Sequence, residues 1–314
     1  MKLAAIDIGS NSIKLVVVQA ETSDAFTVLA QEREVVRLGQ ETLVNGHINT
    51  AAVQRAITCL KRFRSVADAN GAEKIAAIAT ATVREADNSA DFIRTVEEET
   101  GLQVVVLSGL EEARLIGLAA SQGCTAKGVT SLNIDIGGGS TEISIFRDGD
   151  PLKLISMKLG AVGLTDRFIH SDPPAPDELD ALRSEIHSSL ETSASEFREQ
   201  SWDHTTATSG TALAISAALN RAAIVNLPEL KRLNTRIAAL TLAERRNVAG
   251  LSPQRADIII AGGMVLEEVM STLGVESLSF CDWSLREGVI IDRLRELERA
   301  SMPRPAGQKI DSVS

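Results

Sequence analysis

The chain contains no tyrosine, and aromatic residues fill only 3% of its 314 positions. Proteins that hold single-stranded nucleic acid stack the bases on aromatic side chains, and this sequence has little from which to build such a platform. Cations are also short: 32 Lys and Arg stand against 42 Asp and Glu, a net charge of −10. That excludes broad electrostatic binding to DNA, so any polyanion must be met by a local cluster. Long apolar runs are missing too. Lys2 is followed by four apolar residues before Asp7, far short of a signal-peptide core, and no later run approaches the ~20 residues of a membrane span. The three cysteines, Cys59, Cys124 and Cys281, are an odd set without C-x-x-C spacing. They read as small core residues in a reducing compartment, the cytoplasm.

A hydrophobic content of 44% with 24% charge fits a globular chain long enough for two ordinary domains, each with its own core. Strand-like segments at 2–8, 12–20 and 25–36 come first as a meander. Strand-helix alternation follows: a helix from Thr50, which is a plausible N-cap, to Asn70, a strand at 74–80, a helix at 88–101, the strand LQVVVLS and a helix from about 110. Then the order restarts, with strands at 129–136, 141–147 and 152–159, helices from about 161 and 176, and a strand near 204–208. Asp177, after the proline loop SDPPAPDE, can cap the helix that follows. Two halves with the same rhythm imply an internal duplication: residues 1–124 as one domain, 125–300 as another with the last helix free to pack back on the first, and 301–314 as a disordered tail.

Each half opens with one device. IDIGSNSIKLVVV and IDIGGGSTEISIF both run an apolar strand into Asp-x-Gly, a tight small-residue turn and a second strand. Such a turn exposes several backbone N–H groups in a concavity suited to phosphate oxygens, and glycine reaches positive φ and offers no Cβ to block approach. Donors for phosphate are then Ser10, Asn11 and Ser12, with Lys14 two residues on, and Gly137, Gly138, Gly139, Ser140 and Thr141. The aspartates Asp7 and Asp135 would repel a bare phosphate unless a divalent cation intervened, and magnesium commonly binds through one or two carboxylates. Single loops of this kind are ordinary hairpin chemistry; two in register make a cleft between domains. A third anion-friendly terminus opens at Ser209, Gly210 and Thr211, which is also simply a good helix N-cap.

The paired loops resemble the actin-like ATPase superfamily (ribonuclease H-like, ASKHA), duplicated α/β domains with an interdomain cleft. ATATVREADNSADFI, SGLEEARLIGL, RADIIIAGGMVLEEVM and DWSLREGVI narrow the resemblance to the exopolyphosphatase/guanosine pentaphosphate phosphatase (Ppx/GppA) family, from Met1 to about Leu297. Longer members carry a C-terminal HD-type metal region. None of the four histidines here, His47, His170, His187 and His204, is followed directly by aspartate, so the chain reads as a short member, able to form a homodimer. The resemblance makes Glu112 the general base; position alone makes it a first-turn helix charge. Glu142 would hold metal or position water, Arg84 would support the phosphate site, and Arg37 and Arg286 are weaker candidates.

The expected activity is hydrolysis of terminal phosphate from inorganic polyphosphate with Mg2+ (or Mn2+), or of guanosine pentaphosphate (pppGpp) to the tetraphosphate (ppGpp). A kinase of the same fold and a non-catalytic polyphosphate or alarmone binder are the rivals. A nucleotide would need a base pocket near Ile258–Glu268, a segment that also reads as a buried helix.

Overall fold

Apolar residues occupy both faces of the opening strands, so those strands must be covered on two sides. The computed structural model describes residues 1–301 apart from Asp24 and Arg198; of the tail expected at 301–314, Ser301 ends the last helix and 302–314 lie outside the described residues. In the first half β1 (Lys2–Ile8), β2 (Ser12–Thr22) and β3 (Ala25–Val35) form an antiparallel meander. There follow α1 (Thr42–Asn45), α2 (Thr50–Ala69), β4 (Lys74–Ala79), α3 (Ala81–Glu85), α4 (Ser89–Thr100), β5 (Val104–Val106) and α5 (Gly109–Cys124). The sheet order is β3-β2-β1-β4-β5, with β4 and β5 parallel to β1.

The second half repeats the plan with β6 (Thr130–Ile136), β7 (Thr141–Arg147), β8 (Asp150–Met157), α6 (Ala161–Phe168), α7 (Pro176–Ala194), β9 (His204–Thr208) and α8 (Ser209–Ala218). It adds β10 (Ile224–Asn226), α9 (Leu227–Ala238), α10 (Leu242–Arg245), α11 (Ile259–Leu273), β11 (Ser277–Phe280) and the returning helix α12 (Leu285–Ser301). Here the order is β10-β11-β9-β6-β7-β8. The short strands β10 and β11 carry no alternation long enough to read from sequence.

Side-chain alternation along β1 divides its residues between two cores. Ala4, Ile6 and Ile8 meet α2 and α4 through Phe63 and Phe92, while Leu3 and Ala5 join Leu115 and Ile116 of α5 and Val289 and Ile290 of α12. Fully burying a phenylalanine such as Phe63 stabilises by roughly 1.5–3 kcal/mol. Phe146 of β7 packs on Leu118 and Ile291 from the opposite side, so α5 and α12 are sandwiched between the two sheets. That position carries Glu112 into the interior.

Three local expectations are corrected. The α2 cap is Asn49, whose side chain accepts from the Ala52 N–H, rather than Thr50, which is already helical. The helix α7 begins at Pro176, one residue before Asp177, and it is Glu178 that accepts from the N–H groups of His170, Ser171 and Ala175. Cys59 is a buried thiol, but Cys124 and Cys281 are bonded to each other, with Cα atoms 6.0 Å apart. Their separation of 157 residues hides the pairing, because it depends on the end of α5 meeting the segment that leads into α12. Among the described residues, no helix is long and apolar enough to cross a membrane.

Candidate active site

The two glycine loops meet. An ideal Cβ on Gly138 would lie 2.7 Å from the Ser10 Cβ, and one on Gly139 would lie 2.7 Å from the Ala81 Cβ and 2.9 Å from the Ser10 hydroxyl. None of Gly9, Gly137, Gly138 or Gly139 has positive φ. Conformational freedom is therefore not what requires glycine here; the close approach of the opposite loop is. Between the loops lies a small, partly open cavity of about 60 Å³, lined by Asp7, Ser10–Ser12, Lys14, Glu112, Asp135, Gly137–Ser140, Ser209–Thr211 and Arg255 among others. A volume of this size holds a few waters.

Corresponding positions in the two halves differ in charge. Asp7 pairs in register with Lys14, and the carboxylate and ammonium are 3.3 Å apart. Asp135 pairs in register with Glu142, so the second half sets two acids side by side. Asp135 accepts from the hydroxyls of Thr208 (2.6 Å) and Ser284 (3.3 Å), while burial pushes its carboxyl up. Glu142 is pushed well above the usual carboxylate range by burial and by the charges of Glu112 and Asp135. Its Oε1 accepts from the Ser156 hydroxyl at 2.7 Å, and its Oε2 is buried without a partner.

Glu112 enters from the first turn of α5, a helix capped by Ser108. Its side chain is buried, and burial raises its pKa to about 7 against the opposing pull of Arg84, whose Nη1 donates to Oε2 at 3.0 Å. The two glutamates are thus distinguished by environment: Glu112 has a cation beside it and Glu142 does not. A carboxylate titrating near neutrality is what a general base needs.

The placement of the remaining candidates is mixed. Ser10, Asn11, Ser12, Lys14, Gly137–Ser140, Gly210 and Thr211 all line the cavity. Thr141 does not: it is fully buried and its hydroxyl donates to the Leu159 carbonyl. Arg84 is held on Glu112 and on the Leu107 carbonyl rather than on the loops. Arg37 pairs with Asp257, and Arg286 donates to the Leu15 carbonyl and pairs with Glu287; neither lines the cavity. Of the segment Ile258–Glu268, most of 259–266 is packed into the second core, while Ile258 lines the cavity between the loops and Glu268 a separate surface pocket.

Sequence reasoning missed Arg255. It sits in a short 3-10 turn before α11 and is buried, with its Nε unpartnered. An ideal Cβ on Gly210 would fall 1.8 Å from its Nη2, so Gly210 is what allows the guanidinium to lie over the start of α8. The available signal was an arginine that, with Asp257, stands just before the apolar run IIIAGG. Asn11 is likewise buried with neither amide atom bonded.

A divalent cation is implied by the paired aspartates. Among the described residues, no three Asp, Glu, His or Cys side chains form a metal cage. Magnesium does not require one, because it keeps waters and takes substrate phosphate oxygens, and Asp7 and Asp135 offer a fitting pair of carboxylates at the cavity wall. Glu142, the third candidate, is buried beside Asp135 with its Oε2 unpartnered, but it is not among the residues lining the cavity.

The model of the Ppx/GppA phosphatase family matches residues 16–297. This chain belongs to the Ppx/GppA phosphatase family. It is 33% identical over 304 residues to exopolyphosphatase 1 of Mycobacterium tuberculosis, covering 94% of this chain and 88% of that protein. With exopolyphosphatase 1 of Mycobacterium leprae it shares 32% over 327 residues, covering 99% and 96%. Among solved structures, an exopolyphosphatase from Cytophaga hutchinsonii superposes with a TM-score of 0.87 at 27% identity, covering 94% of this chain and 98% of that one. The α/β architecture built on two mixed sheets is therefore that of Ppx/GppA phosphatases.

Proposed function

We propose that this phosphatase is an exopolyphosphatase, removing the terminal phosphate of inorganic polyphosphate by direct attack of water. The observation that carries the reading is a deficit of partners around one cavity: the Asn11 amide, the Arg255 Nε and the Glu142 Oε2 are all buried and unbonded. Buried polar groups are seldom left so, and a phosphate chain supplies acceptors for the donors among them. In the proposed complex the terminal phosphoryl group lies between the loops, held by backbone N–H groups of 10–12 and 137–140, with Lys14 and Arg255 balancing its charge. Glu112 takes the proton of the attacking water, and Arg84 fixes its carboxylate in place. A protonated Glu142 behind it would avoid a second negative charge at the point of attack.

Asp7 and Asp135 would hold magnesium, which supplies further neutralisation of the phosphoryl oxygens. Inorganic polyphosphate is placed first and pppGpp second because most of the segment considered for a base is taken up by core side chains. A cytoplasmic setting belongs to the same proposal. The test is phosphate release from short polyphosphate, long polyphosphate and pppGpp, each with and without magnesium. Magnesium-dependent release from the polyphosphates is expected, and inactivity on all three would overturn the reading in favour of a binding protein or a kinase.

A further inference from the structure

Cationic charge continues outward from the cavity. Arg33 on β3 is paired in register with Lys14, on the face that also carries Ser12, and its Nε lies 3.4 Å from the Ser12 hydroxyl. Like charges set directly opposite one another in antiparallel strands repel, and the neighbouring acids are engaged elsewhere. Asp7 is taken by Lys14 at 3.3 Å and Glu287 by Arg286 at 3.3 Å. Glu32 and Glu34, on the other face of β3, bind Arg62 at 3.2 and 2.6 Å, and Asp257 binds Arg37. Among the described residues, Arg33 has no carboxylate within ion-pair distance.

Arg255 meets the same end of the cleft from the second half. Burial, and after it the charge of Arg33, bring the Arg255 guanidinium down to about 9, so the two cations act on each other across the gap. Their exposure is graded: Arg255 is 6% exposed, the Lys14 side chain 20%, and Arg33 is an exposed residue of the edge strand. The sequence of charges runs from the interior to solvent.

We propose that Arg33 is an outer subsite that binds the phosphates behind the terminal one, so that this site favours polyphosphate chains long enough to extend out of the cleft. The inference rests on the polyphosphate reading. A subsite at the mouth is felt only by a substrate that reaches it, whereas tripolyphosphate is confined to the loops. A charge-assisted arginine–phosphate contact is strong enough to shift binding by about tenfold.

The experiment compares KM for tripolyphosphate and for a long polyphosphate chain in the wild-type protein, R33Q and R33K, with melting temperatures as a check on folding. The expected result for R33Q is a rise in KM for the long chain about tenfold larger than the rise for tripolyphosphate, with R33K in between and the difference shrinking at high salt. Equal shifts for both substrates, or none, would overturn the outer subsite while the exopolyphosphatase reading stood. Failure of the wild-type protein to release phosphate from any polyphosphate would overturn both.

Discussion

Replacing Glu112 with glutamine keeps the size of the side chain and removes its ability to ionise. In the folded protein this carboxyl is raised from 4.5 to about 7, so the folded state binds the proton more tightly than the unfolded chain does. The sign follows from linkage. Below pH 4.5 both states are protonated and the group costs nothing. Between pH 4.5 and about 7 the unfolded chain gives up the proton while the folded state keeps it, so stability falls across that window, and the loss is complete once pH has passed about 7. At about 1.4 kcal/mol for each tenfold in proton affinity, holding ionised Glu112 in place costs about 3 kcal/mol above pH 7. E112Q mimics the neutral form. It should therefore melt higher than the wild-type protein at pH 8, and the gap should close towards pH 4.5. Wild-type turnover should rise with pH through about 7 as the base is released from its proton, while E112Q loses about 10²–10⁴-fold in phosphate release at every pH. Thermal melts at four pH values and a phosphate-release assay on polyphosphate suffice. Release within tenfold of wild type, together with a melting difference that ignores pH, would refute the assignment.

Gly139→Ala should place a methyl group 2.7 Å from the Ala81 Cβ, prising the loops apart. Its expected effect is a stability loss of about 1–3 kcal/mol with a large fall in turnover, read by urea melts and phosphate release. Arg255→Met removes a buried cation whose Nε has no partner, so the variant should melt higher than wild type while its KM for polyphosphate rises; a lower melting temperature would contradict the unpartnered placement. Thiol titration of the denatured, unreduced protein should count one group, Cys59, and after reduction all three cysteines.

What could be read from the chain was whatever repeats locally. The two aspartate-glycine turns declared the duplication, because each lies between strands whose apolar runs are continuous. Glu112 could be placed in the first turn of a helix, but its burial depends on α5 being gripped between two sheets, a contact that no neighbouring residue encodes. The glycines were legible as essential for a different reason from the one the structure gives. Reasoning from one loop suggests backbone freedom, and only the opposing loop reveals that a Cβ on Gly138 would strike Ser10. Glu142 and Lys14 stand at matching positions in the two halves, yet one cancels its aspartate and the other compounds it, a contrast visible once the registers are aligned. Arg255 escaped because a lone arginine two residues after a proline resembles any surface turn until its surroundings are known.

The bond between Cys124 and Cys281 has a mechanical consequence. The backbone passes from one sheet to the other after α5 and returns just before α12, and the disulfide fastens these two passages to each other. With both crossings pinned at one corner, the halves cannot slide apart in parallel; they can only swing, like a book opened against its spine. Away from that corner the halves are bridged by Arg37 with Asp257 and by Glu85 with Lys158, pairs that the proposed substrate chain would have to part. Cutting the spine with a thiol reductant would let the covers shift sideways as well.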